Sequence, residues 1–442
     1  MTKDLTKGKP FQTIFTFSIP IVCGNLFQLF YTLADTIIVG QTLGSDALAA
    51  VGSTSIIVYL VLCFVQGITG GFGICLAQQF GKKDESGMRK SIAVSLVLCI
   101  AASVVITLLC CLLSHQILYW INTPAKIYQM AYDYMFAVLL GTGATIFYNL
   151  ISNVLRALGD SQTPLIFLIF SSLLNIVLDI LFIVPLNMGV AGAAWATVLS
   201  QLLSAILCTG FGIKKFPLLR IMRSDFLIPK SVWIGHFRTG FPMGFQMSVM
   251  CIGQLAMQGA VNALGANAIA GYTAATKVDQ VSVLVNTALG IAISNFVAQN
   301  YGAQLKARIK EGVTSCLILA SIINLIMCIV ILVCRHMVIP LFVSNPTAEL
   351  SVYSDQYFFA VAPFYLLLGV LILYRSSVQS MGNSVAPFVA CLIELVVRSG
   401  ATFILSKPIG YIGICFATPL AWIWASLFLI PVYRKMIHRN DF

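Results

Sequence analysis

Ala77-Gln78-Gln79-Phe80-Gly81 returns as Ala298-Gln299-Asn300-Tyr301-Gly302, 221 positions further along the chain. The same offset carries Thr42-Leu43-Gly44-Ser45-Asp46-Ala47 onto Ala263-Leu264-Gly265-Ala266-Asn267-Ala268. It also carries Gly192, Ala196 and Thr197 onto Gly413, Ala417 and Thr418. Pro20 and Asp133 recur as Pro242 and Asp355 at 222, and Gly159, Asp160 and Pro164 meet Gly382, Asn383 and Pro387 at 223. A register that drifts by so little is what loop insertions between two copies produce. The chain of 442 residues is therefore one half written twice.

Composition says what kind of half it is. Hydrophobic residues make up 59% and charged residues only 9%, with a mean hydropathy of +0.94. Soluble globular chains carry roughly 25% charged residues, so soluble enzymes, disordered chains and disulfide-rich secreted modules are excluded. The 13 cysteines lie mostly in apolar runs, with no CxxC and no histidine at ligand spacing. They read as small hydrophobes and not as disulfides or a metal centre. The net charge of +11 falls in short clusters between apolar runs, which argues against a nucleic-acid partner.

A helix needs about 20 apolar residues to cross a bilayer. Twelve such runs are present, at about 13–39, 47–79, 91–113, 128–157, 165–186, 190–212, 236–261, 268–299, 313–334, 352–380, 387–406 and 411–433. The first is too long for a signal-peptide core and reads as a retained span. With the N-terminus on the basic side, 21 of the 26 Lys and Arg residues fall on that side, Arg156, Arg375 and Arg439 among them. The positive-inside rule then puts both termini in the cytoplasm. Continuous apolar runs exclude a β-barrel, whose strands alternate.

The expected fold is an all-α integral membrane protein, with twelve transmembrane helices in two parallel-repeat six-helix bundles around a central cavity. Residues 1–213 form the N-terminal bundle, 214–235 a cytoplasmic linker with Pro217 and Pro229, and 236–442 the C-terminal bundle. Six spans per half give both halves one orientation, as in two-bundle transporters.

Ionisable residues inside a span cost about 2.5–3.5 kcal/mol each on insertion scales, so each is a functional candidate. Asn175 and Asp179 lie four apart on one face of the fifth span. Asp35 ends the stripe Asn25, Gln28, Thr32, Asp35 on the first span, and Thr197 stands on the sixth. Carboxylate, amide and hydroxyl oxygens suit a small hard cation, and the two carboxylates also suit proton carriage. In the second half that stripe becomes Met247, Met250, Gln254 and Met257, a polarizable wall suited to varied apolar ligands. Ion coupling is accordingly expected in the N-terminal half. Glu394 and Arg398 are expected to pair along one helix. Lys277 and Asp279, two apart, face different ways, and Asn149 and Asn153 share a face of the fourth span.

Several of these segments resemble the multidrug and toxic compound extrusion (MATE) family. They are Leu33-Ala34-Asp35-Thr36 with Gly40 and Leu43-Gly44; Arg156-Ala157-Leu158-Gly159-Asp160 before Pro164; Asn175 with Asp179; and Gly189, Gly192-Ala193-Ala194 leading to Thr197. The resemblance implies a secondary antiporter that expels organic cations and drugs in exchange for H+ or Na+. It implies that Asp35, Asn175, Asp179 and Thr197 hold the coupling cation, and that Gln28, Tyr31, Tyr134, Asn149 and Asn153 line the N-terminal cavity. Met257 stands where one branch of the family has a carboxylate.

The expectation is thus an ion-driven exporter in the cytoplasmic membrane, working as a monomer without a cofactor. No GxxxxGK[ST] run is present to use ATP directly. A lipid-linked oligosaccharide flippase of related fold is the alternative. It would need basic residues in its cavity, and the intramembrane balance read from the sequence is acidic. A membrane enzyme would need a polar catalytic cluster, and His115, His236, His336 and His438 form none.

Overall fold

The computed structural model describes residues 3–339 and 347–438; Arg439, counted above among the cytoplasmic cations, lies outside them. Those residues are almost wholly helical. The first half runs α1 (Pro10–Leu43), α2 (Ser45–Gly81), α3 (Glu85–Trp120), α4 (Tyr128–Leu140), α5 (Thr142–Ala157), α6 (Gln162–Ile183) and α7 (Gly189–Lys215). Helices α4 and α5 form one crossing bent by 41° about Gly141. The second half runs α8 (Lys230–Asn262), α9 (Ala266–Gly302), α10 (Lys306–Val338), α11 (Ala348–Val361), α12 (Tyr365–Ser380) and α13 (Val385–His438). A 3-10 turn at Ala362–Phe364 joins α11 and α12 into one crossing.

Helix α13 has 54 residues, which at about 1.5 Å per residue would be about 80 Å long. That is more than twice the roughly 30 Å of bilayer hydrocarbon. The break is Gly410, whose φ of 59° lies in the left-handed region open to glycine. The chain doubles back there, so that a Cβ on Gly413 would run into the Leu405 carbonyl. With α13 counted as two, each half supplies six crossings and the protein has the twelve expected. This is a multi-pass membrane protein.

By packing, the chain divides into two compact units, Met1–Asp4 with Cys23–Gly244, and Leu5–Val22 with Phe245–Phe442. The divisions fall just after Pro20 in α1 and just after Pro242 in α8, the repeat-related prolines inside helices. A proline within a helix removes an i→i−4 hydrogen bond and bends it.

In unit 1, α2 and the first part of α8 cross at two facing glycine pairs. A Cβ on Gly71 would lie 2.6 Å from the Gly240 Cα, and one on Gly67 would strike the Met243 carbonyl. Both strands of contact are glycines four apart, the close-packing pattern of helices in lipid. A core of Val39, Ala47, Ile183, Val190 and Ala193 joins α1, α2, α6 and α7, with Tyr134 packed against it. In unit 2, Leu5, Ile14, Phe17 and Ile21 pack with Ala288, Ala292 and Ile293 of α9.

The loop after α5 is tied down from several directions. Gly159 has φ +84°, and its carbonyl accepts from the Lys3 N–H at 3.0 Å. Asp160 is fully buried; it caps α6 by accepting from the Thr163 N–H at 3.0 Å and pairs with Lys215 Nζ at 2.5 Å. Burial pushes its carboxyl up, but the bonds from Lys215 and Thr163 outweigh that and hold it below the ordinary carboxylate range.

Candidate functional site

Helices α6 and α7 form a tight hairpin. The Met188 N–H donates to the Phe182 carbonyl at 2.9 Å, and a Cβ on Gly192 would already press on Phe182. The small residues at the start of α7 let it lie close along α6, which brings Thr197 level with Asn175. Asn175 Nδ2 donates to Thr197 Oγ1 at 3.3 Å, and Thr197 Oγ1 donates to the Ala193 carbonyl at 3.2 Å. Asp179, one turn beyond Asn175, is fully buried, and Asn175 is 1% exposed.

Asp35 on α1 is half-buried and is the electrostatic neighbour of Asp179. Tyr31, one turn earlier on α1, and Tyr134 on α4 both stand within reach of the two carboxylates. Six residues named from the sequence thus meet in unit 1: Tyr31, Asp35, Tyr134, Asn175, Asp179 and Thr197. The cluster is short of donors. Asp35 Oδ1, Asn175 Oδ1 and both carboxylate oxygens of Asp179 are buried without a hydrogen-bond partner. Buried carboxylates are costly unless charge and lone pairs are answered. A set of four such oxygens fits a small cation or a proton.

Of the other named residues, Asn149 connects to the cluster through Thr145 and Gln201, which bonds Tyr31. Gln28 is exposed on α1. Asn149 Nδ2 donates to the Thr145 carbonyl of its own helix at 2.9 Å, and Asn153 Nδ2 to Thr69 Oγ1 of α2 at 3.3 Å. Met250 and Met257 belong to unit 2. The Met250 thioether faces Arg375 Nη1 at 3.5 Å. Met257 sits in the unit 2 core and accepts from Thr418 Oγ1 at 3.1 Å. Lys277 is exposed while Asp279 is buried and accepts from Tyr357 at 3.1 Å.

Arg375 is the residue that sequence reasoning placed elsewhere. Counted above with the cytoplasmic cations, it is 5% exposed on α12 and donates to Glu394. Arg398 does reach Glu394, as expected, at 3.7 Å. A signal was available: Arg375 lies within the apolar run 352–380, five residues before its end.

Two six-helix units, one enclosing a donor-poor acidic cluster at the depth of its membrane helices, define a polytopic transporter. The family model described as MatE matches residues 20–181 and again 242–404, once in each half. The chain belongs to the MatE family, whose members are transporters and not enzymes.

It is 32% identical over 436 residues to the probable multidrug resistance protein YpnP of Bacillus subtilis (strain 168), covering 98% of this chain and 96% of that one. It is 26% identical to the probable multidrug resistance protein YoeA of the same strain, covering 100% and 96%. Its fold matches a solved outward-facing multidrug resistance MATE family transporter of the MOP superfamily with a TM-score of 0.92. That match covers 99% of this chain and 98% of the other at 22% identity, a likeness of fold.

Proposed function

We propose that this protein is a secondary antiporter of the cytoplasmic membrane that exports organic cations and drugs in exchange for H+ or Na+. Asp35, Asn175, Asp179 and Thr197 hold the coupling ion, with Tyr31 and Tyr134 beside them. The observation that carries this reading is the set of four buried oxygens, on Asp35, Asn175 and Asp179, that lack a partner. The multidrug resistance names of the relatives support the substrate class.

The mechanism follows from charge. A bound H+ or Na+ offsets one of the two carboxylate charges, and its release leaves the full negative charge in a low-dielectric interior. A cationic substrate and the coupling ion then compete for that charge. Competition of this kind is sufficient for exchange when each ligand favours a different state of the protein. The two bundles rock to expose the ligand to alternate sides, both termini stay in the cytoplasm, and the working unit is a monomer without a cofactor.

Ethidium efflux from proteoliposomes, under a proton gradient alone, a sodium gradient alone and neither, tests this reading. The expected result is efflux driven by one ion and lost in Asp35→Asn, which keeps the size and removes the charge. Wild-type efflux from well-folded Asp35→Asn protein refutes the site. Efflux indifferent to both gradients refutes antiport.

A further inference from the structure

The chain between α7 and α8 is a folded surface. A 3-10 turn at Pro217–Leu219 follows α7, and a second at Arg223–Phe226 precedes α8. Leu219 anchors the first. It is buried, and a Cβ on Gly212 of α7 would come within 3.0 Å of it. Asp225 anchors the second. Its carboxylate is turned inward and accepts from the Met222 N–H at 2.7 Å. Asp225 is also the only acid between Lys215 and Arg238, so the outward face of this segment carries no negative charge.

That face combines two things a water-facing surface keeps apart. Met222, Phe226 and Leu227 are 55%, 47% and 79% exposed. Among them stand Arg220, Arg223, Lys230 and Arg238, all exposed. Among the described residues the ion pairs use other cations, Lys126, Lys215, Arg335, Arg375 and Arg398, and none of these four. Large apolar side chains set between unanswered cations suit a bilayer interface, where apolar tips enter the acyl boundary and cations stand level with the phosphates.

Helix α8 continues the pattern toward the membrane. Ile234, Phe237 and Phe241 follow at steps of three and four on one face, and the last two rings stack with centroids 4.9 Å apart. Lys230 and Arg238 lie four residues before and after Ile234, on the same face. The apolar run 236–261 would be about 39 Å long at about 1.5 Å per residue. That exceeds the roughly 30 Å of hydrocarbon, so its first turns reach the headgroup layer. The first half keeps the apolar face without the arginine. Phe237 and Phe241 recur 222 positions earlier as Phe15 and Ile19, both 44% exposed, whereas Arg238 meets Thr16. Contact with acyl chains alone does not call for that arginine.

We propose that residues 220–238 are a docking surface for anionic phospholipid in the leaflet where α7 ends and α8 begins. Arg220, Arg223, Lys230 and Arg238 take the phosphates, for which the guanidinium fork is suited, and their long stems let the charge reach the headgroups from beside an apolar face. Phe226 and Leu227 enter the acyl boundary. The inference needs only the membrane-spanning fold and is independent of substrate and coupling ion.

The test is photo-crosslinking of the full-length protein in nanodiscs, with diazirine-bearing phosphatidylglycerol or phosphatidylcholine at equal mole fraction, and the labelled peptides read by mass spectrometry. Labelling of the exposed α10 face at Ile318, Ile322 and Ile329 serves as the reference within each sample. Relative to it, phosphatidylglycerol should label residues 220–238 of wild type about fivefold more than phosphatidylcholine or better, the factor for a single cation at an anionic surface. The excess should vanish when Arg223→Gln, Lys230→Gln and Arg238→Gln are combined, with the α10 labelling unchanged. If that variant does not fold, wild type at high salt decides, because screening should remove the excess and leave the reference labelling intact. Equal labelling by the two lipids in wild type overturns the proposal, as does an excess that survives the substitutions. No labelling of the segment by either lipid would leave the face to water or to a second copy of the chain and overturn it too. Loss of the excess to inorganic phosphate, but not to sodium chloride of the same ionic strength, would assign the cations to a solution anion instead.

Discussion

Two adjacent glycines on α2 should respond to the same substitution with opposite signs. In Gly71→Ala the new Cβ would lie 2.6 Å from Gly240 Cα, 2.9 Å from Gly240 N and 3.1 Å from the Thr239 carbonyl carbon, all backbone atoms of α8. No rotamer change can relieve such a contact. To reach ordinary van der Waals separation of 3.4 Å, the helices must part by about 0.8 Å along a seam closed by glycine on both sides. Overpacking of this kind costs about 1–3 kcal/mol, against which alanine returns about 0.5–1 kcal/mol of helix preference. The net expectation is a loss of up to about 2.5 kcal/mol, toward the upper end because the atoms met are all backbone.

In Gly70→Ala the new Cβ meets only Met243 Cε at 3.7 Å, the flexible end of a side chain. The helix preference then stands alone and the protein gains about 0.5–1 kcal/mol. All 13 cysteines are free, so a fluorogenic thiol dye reports thermal unfolding in detergent directly. The melting temperature should fall in Gly71→Ala and rise in Gly70→Ala. Equal shifts for the two, or a stable Gly71→Ala, would show that α2 and α8 do not meet at these glycines.

Asp179→Asn should raise the melting temperature of the ion-free protein while abolishing ion-driven efflux, because it removes a buried carboxylate that no donor satisfies; a lower melting temperature in ion-free buffer would contradict this. For Asp160, the folded carboxyl titrates below its unfolded value. Its stabilisation is therefore fully present above the unfolded pKa of about 3.9 and fades as pH falls through the folded value. Melting curves of wild type and Asp160→Asn should differ most at neutral pH and converge in acid, and a gap that widens on acidification would show that Lys215 does not hold this group.

The helices could be read from the sequence because each crossing is a local property, an apolar run of the right length. The hairpin inside α13 was legible for the same reason, since the apolar runs pause at Lys407 and Pro408 before Gly410. The neighbours Asn175 and Asp179 follow from helix periodicity, and their approach to Thr197 from the short loop between α6 and α7. Arg375 was not legible in this way. Position in a run fixes depth only to within a turn or two, and the decision between facing the cytoplasm and entering the core was made by Glu394, 19 residues away on another helix. Met257 is similar: a thioether on a stripe can face a ligand or a core, and Thr418 determines which by bonding to it.

The sharing of α1 and α8 between the units sets an order of events during synthesis. Phe17 and Ile21 leave the ribosome early, yet the α9 residues that bury them, Ala288 and Ala292, follow about 270 positions later. At about 5–20 residues per second the wait is roughly 15–50 s. The start of α1 therefore spends that interval as a hydrophobic segment without its core, while unit 1 in turn lacks Gly240 and Gly244 until α8 emerges. Neither half of the gene encodes a complete folding unit. Two fragments cut in the 214–235 loop would each carry a helix segment belonging to the other, and should be stable when produced together and short-lived when produced apart.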